Sequence, residues 1–364
     1  MGTEKDRGAI REESATERSA ASRARAIEEI ISRPPDDIIH LRAAIQRMVA
    51  AQWQRYVPPA LGAATLGCSS TKAAKVRFLA EMYSRACYSM MVVSSRSPLF
   101  LRIPFRCACR LPISRAVALA AGSWMVSFLD RLLPRRVHRQ LALMATMMAL
   151  IDQLVDDAMA NDPNDASQIA LFLTTVTQPR DPLQGALQKL ARCVRENEDS
   201  WQAKYWNAVL LPATGNYCRE EALAATKADD PSGMGFRWAG IEAAINGMWY
   251  AVGPYLGLDD NFEVMRRKDW NAEQQWMADT SLLMQMIDDW IDQEEDRAVR
   301  TTAVLSGEWS PAGVQELYRK TVADLILLLS KNGVRNNTIG ALFVDLYTDF
   351  ICVGLDAMKG GIAL

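Results

Sequence analysis

Residues 138–159 read HRQLALMATMMALIDQLVDDAM. From Leu141 to Ile151 nearly every position is apolar, so a helix here is greasy on all sides and belongs in the middle of a bundle rather than on its surface. Into the end of that run the chain sets Asp152, Asp156 and Asp157. At about 100° per residue, Asp152 and Asp156 stand about 40° apart on one face, with Asp157 off to one side. Charge in such surroundings is costly unless it is paired or holds a metal.

A second acidic cluster follows more than a hundred residues later, where residues 285–297 read QMIDDWIDQEEDR. With Asp288 taken as zero, Gln285 lies at about 60°, Asp292 at about 40°, Glu295 at about −20° and Asp296 at about 80°. These five side chains share a face, and Leu283, Ile287, Trp290 and Ile291 fill the remainder and pack the bundle. Acids at successive i,i+4 positions repel one another, a cost that a bound cation relieves. A solvated acidic face balanced by Arg297 and Arg300 is the competing reading. Two facing acidic patches on apolar helices suit magnesium, which takes one or two carboxylates per ion and completes its shell with water and phosphate oxygens. The pattern therefore points to a hydrophobic cavity with divalent cations at its mouth, and to diphosphate chemistry.

Working outward, apolar residues recur at helical spacing in 72–93, 113–132, 138–159, 183–197, 200–211, 238–256, 271–296, 311–329 and 338–358. Between these runs fall Pro98, Pro104, Pro134, residues 161–165, Pro179 to Pro182, residues 229–233 and Ser306-Gly307. No stretch alternates with period two. The expectation is an all-α fold: a charged, disordered tail over 1–33 that turns helical near Ala21, then one large helical bundle over 34–364.

Composition excludes several classes. A net charge of −2 on 364 residues gives no support to nucleic-acid binding. Seven cysteines without regular spacing read as reduced cytosolic thiols. Only two histidines, His40 and His138, are present, so acids, bases and metal ligands fall to carboxylates. The first 25 residues lack an apolar signal segment, and the longest apolar runs are too short to span a bilayer, which predicts a cytoplasmic protein. Residues 96–139 carry nine arginines against one acid, Asp130. A solvated basic face is the plain reading; a second diphosphate subsite and peripheral contact with an anionic membrane are the alternatives.

With both clusters in view, the chain resembles the class I isoprenoid synthase superfamily. Asp152-Gln153-Leu154-Val155-Asp156-Asp157 is similar to the first aspartate-rich motif of squalene and phytoene synthases. Gln285, Asp288, Asp292, Glu295 and Asp296 fall where those enzymes have Gln, Asn, Asp, Glu and Asp. Asp288, Asp292 and Asp296 also reproduce the n, n+4, n+8 spacing of the metal triad in terpene cyclases. The run Ile291 to Arg297 is most similar to bacterial large terpene synthases of the tetraprenyl-β-curcumene synthase type. Three departures stand out. Tyr217-Cys218 lies too far upstream for the Tyr-Cys signature of squalene and phytoene synthases. Ala298-Val299-Arg300-Thr301-Thr302 replaces their segment after the second motif. The first motif lacks the extra aspartate of the large terpene synthases.

The resemblance implies a bundle of the isoprenoid synthase type and a terpene synthase, a carbon–oxygen lyase that ionises a linear prenyl diphosphate and cyclises the carbocation. It implies three magnesium ions bound with the diphosphate and held by Asp152, Asp156, Asp157, Asp288, Asp292, Glu295 and Asp296, with Gln285, Arg297 and Arg300 at the substrate. In terpene cyclases a kinked helix before the second motif supplies a diphosphate-sensing arginine and a carbonyl directed at the cation; the corresponding candidates here are Arg237 and the backbone of Gly247 and Met248. The segment holding them is expected to break at Gly235, Gly240, Gly247 and Gly253-Pro254. Its aromatic residues Phe236, Trp238, Trp249 and Tyr250 either line the cavity, where cation–π attraction helps hold the carbocation, or are simply core. A transferase joining two prenyl diphosphates, by head-to-head coupling or chain elongation, and a non-catalytic helical scaffold are the competing functions. Elongating enzymes usually carry paired arginines after the first motif, and residues 161–167 have none. A homodimer is compatible with any of these.

Overall fold

Pro134 opens the helix around which the rest is arranged. In the computed structural model the described residues are 36–57, 133–174, 176–196, 198–224, 234–256, 272–291 and 310–331, with scattered positions before 132. The tail expected over 1–33 falls outside them apart from positions 18, 21, 22 and 25, as do the run expected over 113–132 apart from position 131 and the run expected over 338–358. Every element among the described residues is helical and none is a strand, so the chain is all-α.

The helices are α1 (Asp36–Tyr56), α2 (Arg135–Asn161), α3 (Pro163–Ala166), a 3-10 turn (Ile169–Thr174), α4 (Pro182–Arg195), α5 (Ser200–Tyr205), a π-turn (Trp206–Leu210), α6 (Leu211–Ala224), α7 (Met234–Leu256), α8 (Ala272–Ile291) and α9 (Pro311–Lys331). As its composition predicts, α2 is central. Leu141 to Ile151 are buried without interruption, and α1, α3, α4, α6 and α7 all pack on it. His138, in its first turns, is a buried core residue that shares a 2.5 Å hydrogen bond with Tyr88.

Punctuation follows local chemistry. Asp162 adopts an extended backbone, stops α2 and accepts from the Asn164 N–H, while Pro163 occupies a first-turn position that needs no donor. Asp181 caps α4 by accepting from the Leu183 and Gln184 N–H groups. Its stripe of Ala186, Leu187, Leu190, Ala191 and Val194 then packs on α2. Asp199 and Gln202 close a capping box at the start of α5.

Two features depart from expectation. Helical structure does not stop at Leu211. The Leu211 N–H reaches the Trp206 carbonyl five residues back, and the wider π-turn lets the helix continue through Pro212 to Ala224. Second, α7 runs uninterrupted through all four of its glycines and Pro254. The glycines allow close approach instead of a break: a Cβ on Gly247 would stand 3.2 Å from both Cγ and Sδ of Met148 on α2. With Ile241, Ile245, Met248, Trp249 and Val252 buried, α7 is apolar on most sides and sits between α2, α6 and α8. No helix among the described residues is long and apolar enough to cross a membrane.

Candidate functional site

Asp152 and Asp156 occupy successive turns near the C-terminal end of α2, half-buried beside the fully packed Leu154 and Val155. Burial of the apolar neighbours fixes the phase of the helix and leaves this acidic face only partly covered. Asp157 lies to one side, where its Oδ1 accepts from Gln153 Nε2 at 3.2 Å.

The neighbour that organises this face is Tyr217, on α6. Its hydroxyl donates to Asp152 Oδ1 at 3.2 Å. Thr214, Tyr217, Cys218 and Glu221 form an i, i+3, i+4, i+7 stripe, and all four are buried. Burial, and then the charges of Asp152, Glu221 and Asp156, hold the Tyr217 phenol well above its ordinary pKa. It therefore remains a hydrogen-bond donor through the neutral range. Burial likewise pushes the adjacent Cys218 thiol up to about 12.

The other edge of the Tyr217 ring meets α7 at Gly240. A Cβ there would stand 3.2 Å from Tyr217 Cε2, 3.3 Å from Tyr217 Cδ2 and 3.1 Å from Gln285 Nε2. Gln285 belongs to α8, the helix that leads into the second acidic cluster. Its Oε1 is buried and has no hydrogen-bond donor among the described residues. Asp152 on α2, Tyr217 on α6, Gly240 on α7 and Gln285 on α8 thus meet at one locality. Two sequence candidates, Asp152 and Gln285, are linked there through Tyr217, which the sequence offers only as a misplaced Tyr-Cys pair, and Gly240, which it offers as a helix break.

The remaining candidates divide. Arg237 is buried on α7, three residues before Gly240 and so on nearly the same face. Gly247 and Met248 are packed core positions, Gly247 directly against Met148 and Met144 of α2. Trp249 is buried, with its indole N–H unsatisfied among the described residues. Tyr250 belongs to a different contact: its ring meets Trp206 edge-on at 5.6 Å, and its hydroxyl donates to Glu198 Oε2 at 3.2 Å. It serves the α4–α5 junction, which also explains its complete burial. For Asp288 only the backbone, within α8, is described, and for Phe236 only the backbone within α7. Asp292, Glu295, Asp296, Arg297 and Arg300 lie outside the described residues. From the arginine-rich segment, Arg136 pairs with Asp199 at 3.6 Å and donates to Gln202 at 3.1 Å.

Among the described residues no three His, Cys, Asp or Glu side chains are grouped to hold a metal ion. The near wall supplies oxygen only: two carboxylates one turn apart, and an amide oxygen lacking a donor. That donor set fits a hard divalent cation and not a soft one. Glu221 adds a buried carboxylate close enough to act on Tyr217. Its place in the stripe on α6 was the available signal, lost once the helix was ended at Leu211. No protein-family profile, curated protein or solved structure matches the chain.

Proposed function

We propose that the protein is a cytoplasmic class I terpene synthase that ionises a linear prenyl diphosphate and cyclises the resulting carbocation. The observation that carries this reading is the meeting of Asp152 and Gln285 around Tyr217 and Gly240. Asp152 of the first motif and Gln285, three residues ahead of Asp288, lie on either side of the contact between Tyr217 and Gly240, which supports a site that draws on both ends.

Asp152 and Asp156 from the first motif, with Asp288, Asp292, Glu295 and Asp296 from the second, would hold magnesium, and Asp157, which accepts from Gln153, stands to one side. Bound there, magnesium supplies Lewis-acid stabilisation of the diphosphate leaving group and a template for its orientation. The chain's own residues do the rest. The apolar packing of α2 and α7 keeps water from the reacting carbons, and Arg237 offers a buried positive charge on the α7 face that meets Gln285. Charge stabilisation at the leaving group dominates the rate, because aromatic contacts to a cation contribute only ~0.5–2 kcal/mol each.

The test is incubation with magnesium and each linear prenyl diphosphate from geranyl to geranylfarnesyl, singly and with isopentenyl diphosphate. A cyclic hydrocarbon or alcohol from one substrate, released with pyrophosphate, is expected. A doubled or lengthened chain makes the protein a transferase, and a folded protein that releases no pyrophosphate from any of them overturns the reading. Asp156→Ala and Asp292→Ala are expected to abolish turnover with helicity retained.

A further inference from the structure

The first turn of α2 is charged against its own dipole. A helix N-terminus carries partial positive charge and favours acids, yet α2 begins Arg135-Arg136, has no acid in its first turn and no side-chain cap. Asp199 and Gln202 hold Arg136, whereas Arg135 stands exposed. The C-terminal end of α4 lies alongside, since Gln140 Nε2 of α2 donates to the Val194 carbonyl of α4 at 3.1 Å. There Lys189, Arg192 and Arg195 are exposed, away from the buried stripe that packs on α2. The two basic ends meet at Cys193. Burial and the charge of Glu196 raise its thiol, while Arg139 of α2 and Arg192 of α4 both act to lower it, so arginines of both helices reach the same sulfur.

Six cations on this face, Arg135, Arg136, Arg139, Lys189, Arg192 and Arg195, stand against three nearby acids, Glu196, Glu198 and Asp199. Two of those acids are engaged within the fold. Glu198 pairs with Arg195 at 3.6 Å and accepts from the Tyr250 hydroxyl, and Asp199 pairs with Arg136 and caps α5. The whole chain carries a net charge of −2, so the positive surplus is local.

We propose that this face, formed by the start of α2 and the end of α4, docks on the surface of an anionic phospholipid bilayer. From Lys189 to Arg195 the cations extend along ~9 Å of helix axis, too far to converge on one phosphate, and they suit an array of headgroups instead. Among the described residues, the exposed positions Arg135, Lys189, Arg192, Arg195 and Glu196 offer no aromatic ring on which a base could stack. Each basic residue near an anionic leaflet strengthens attachment about fivefold, an attraction that fades within a Debye length. The inference is independent of the chemistry proposed above.

The experiment floats the full chain with vesicles of phosphatidylcholine alone and of phosphatidylcholine mixed with phosphatidylserine. Binding is expected to the mixed vesicles only, and is expected to fall as sodium chloride screens the surface. Arg135→Gln, Lys189→Gln and Arg192→Gln change exposed side chains outside the site described above. Each should weaken binding about fivefold, and the triple variant about a hundredfold, with helicity and thermal midpoint native. The three single variants decide the matter if the triple does not fold. No binding to the mixed vesicles, equal binding to phosphatidylcholine alone, or native binding by the triple variant or by all three single variants overturns the proposal. Release from the vesicles by inorganic phosphate beyond that caused by chloride at equal ionic strength also overturns it, and makes the face a phosphate site. Tighter binding to polyuridylate than to the mixed vesicles overturns it in favour of a nucleic-acid surface.

Discussion

Trp276 on α8 donates its indole hydrogen to the main-chain carbonyl of Thr321 on α9 at 3.0 Å. One turn further along α8, the buried Asp279 pairs with Lys320, which also reaches Asp324 at 3.5 Å, and Gln275 donates to Asp279 Oδ1 at 2.8 Å. Position 279 lies about 180° around the helix from position 288, and Gln285 about 60° from it. The helix is therefore clamped to α9 by one face, while Gln285 on another meets α7 at Gly240. The clamp fixes the rotation of α8 against α9.

Removing the clamp should cost moderate stability. Asp279→Ala strips Lys320 of its main partner, but Lys320 is 55% exposed and can be resolvated, so screening limits the loss. About 1 kcal/mol is expected in urea unfolding. Trp276→Phe should cost more, about 1–3 kcal/mol, because it leaves the Thr321 carbonyl buried without a donor. Equal midpoints for native protein and Trp276→Phe would remove the indole hydrogen bond from the account of how α8 is held.

The two close-packed glycines of α7 should respond differently. An added methyl at Gly247 meets the Met148 side chain, a flexible thioether that can swing aside, while alanine gains up to ~1 kcal/mol in helix propensity over glycine. Gly247→Ala should therefore unfold within about 1 kcal/mol of native. At Gly240 the methyl meets the buried, hydrogen-bonded Tyr217 ring at 3.2 Å and the Gln285 amide at 3.1 Å. Gly240→Ala should cost about 1–3 kcal/mol by overpacking and should lower pyrophosphate release. The reverse order of stabilities would contradict the close approach at Gly240.

Much of this was legible in the sequence because it is governed by local rules. The all-round apolar run of Leu141 to Ile151 predicts a central helix, and the Asp162-Pro163 and Asp181-Pro182 pairs mark where helices begin. What was hidden depends on backbone accommodation. The helical run expected over 200–211 ends before Pro212, whereas the π-turn at Trp206–Leu210 carries the helix on through Pro212 and Gly215. Glu221 was missed with that helix, and Tyr217 was placed only as a misplaced Tyr-Cys pair. The glycines of α7 were likewise read as breaks, although in a tightly packed helix a missing side chain serves an approaching neighbour.

Alkaline instability is a further consequence of burial. It pushes the thiols of Cys87 and Cys218 up to about 12 in the folded chain, against about 8.5 when unfolded. The unfolded state thus sheds these protons first, and stability is full below about pH 8.5 and falls as pH rises toward 12. Each thiol contributes at most ~1.4 kcal/mol per pH unit in that window. Cys218→Ala should flatten the decline. In native protein at pH 8, peptide mapping after iodoacetamide treatment should find Cys87 and Cys218 unmodified; alkylation at the rate of an exposed thiol would contradict their burial.

The three acids of the first motif should not be equivalent. Asp152 and Asp156 face Tyr217 together, since both charges act on its phenol, whereas Asp157 is engaged by Gln153 on another side of α2. Asp152→Asn and Asp156→Asn keep size and hydrogen-bonding capacity while removing the charge that a cation needs. Each should lower pyrophosphate release by at least about a hundredfold, in line with the loss of a few kcal/mol of leaving-group stabilisation. Asp157→Asn retains an acceptor for Gln153 and should stay within about tenfold of native. Raising magnesium should recover part of the loss in Asp152→Asn, where Asp156 still faces the site, and none is needed for Asp157→Asn. Equal, large losses at all three positions would show that Asp157 leaves Gln153 to join the other two, and that the acidic face is wider than the Tyr217 contact defines.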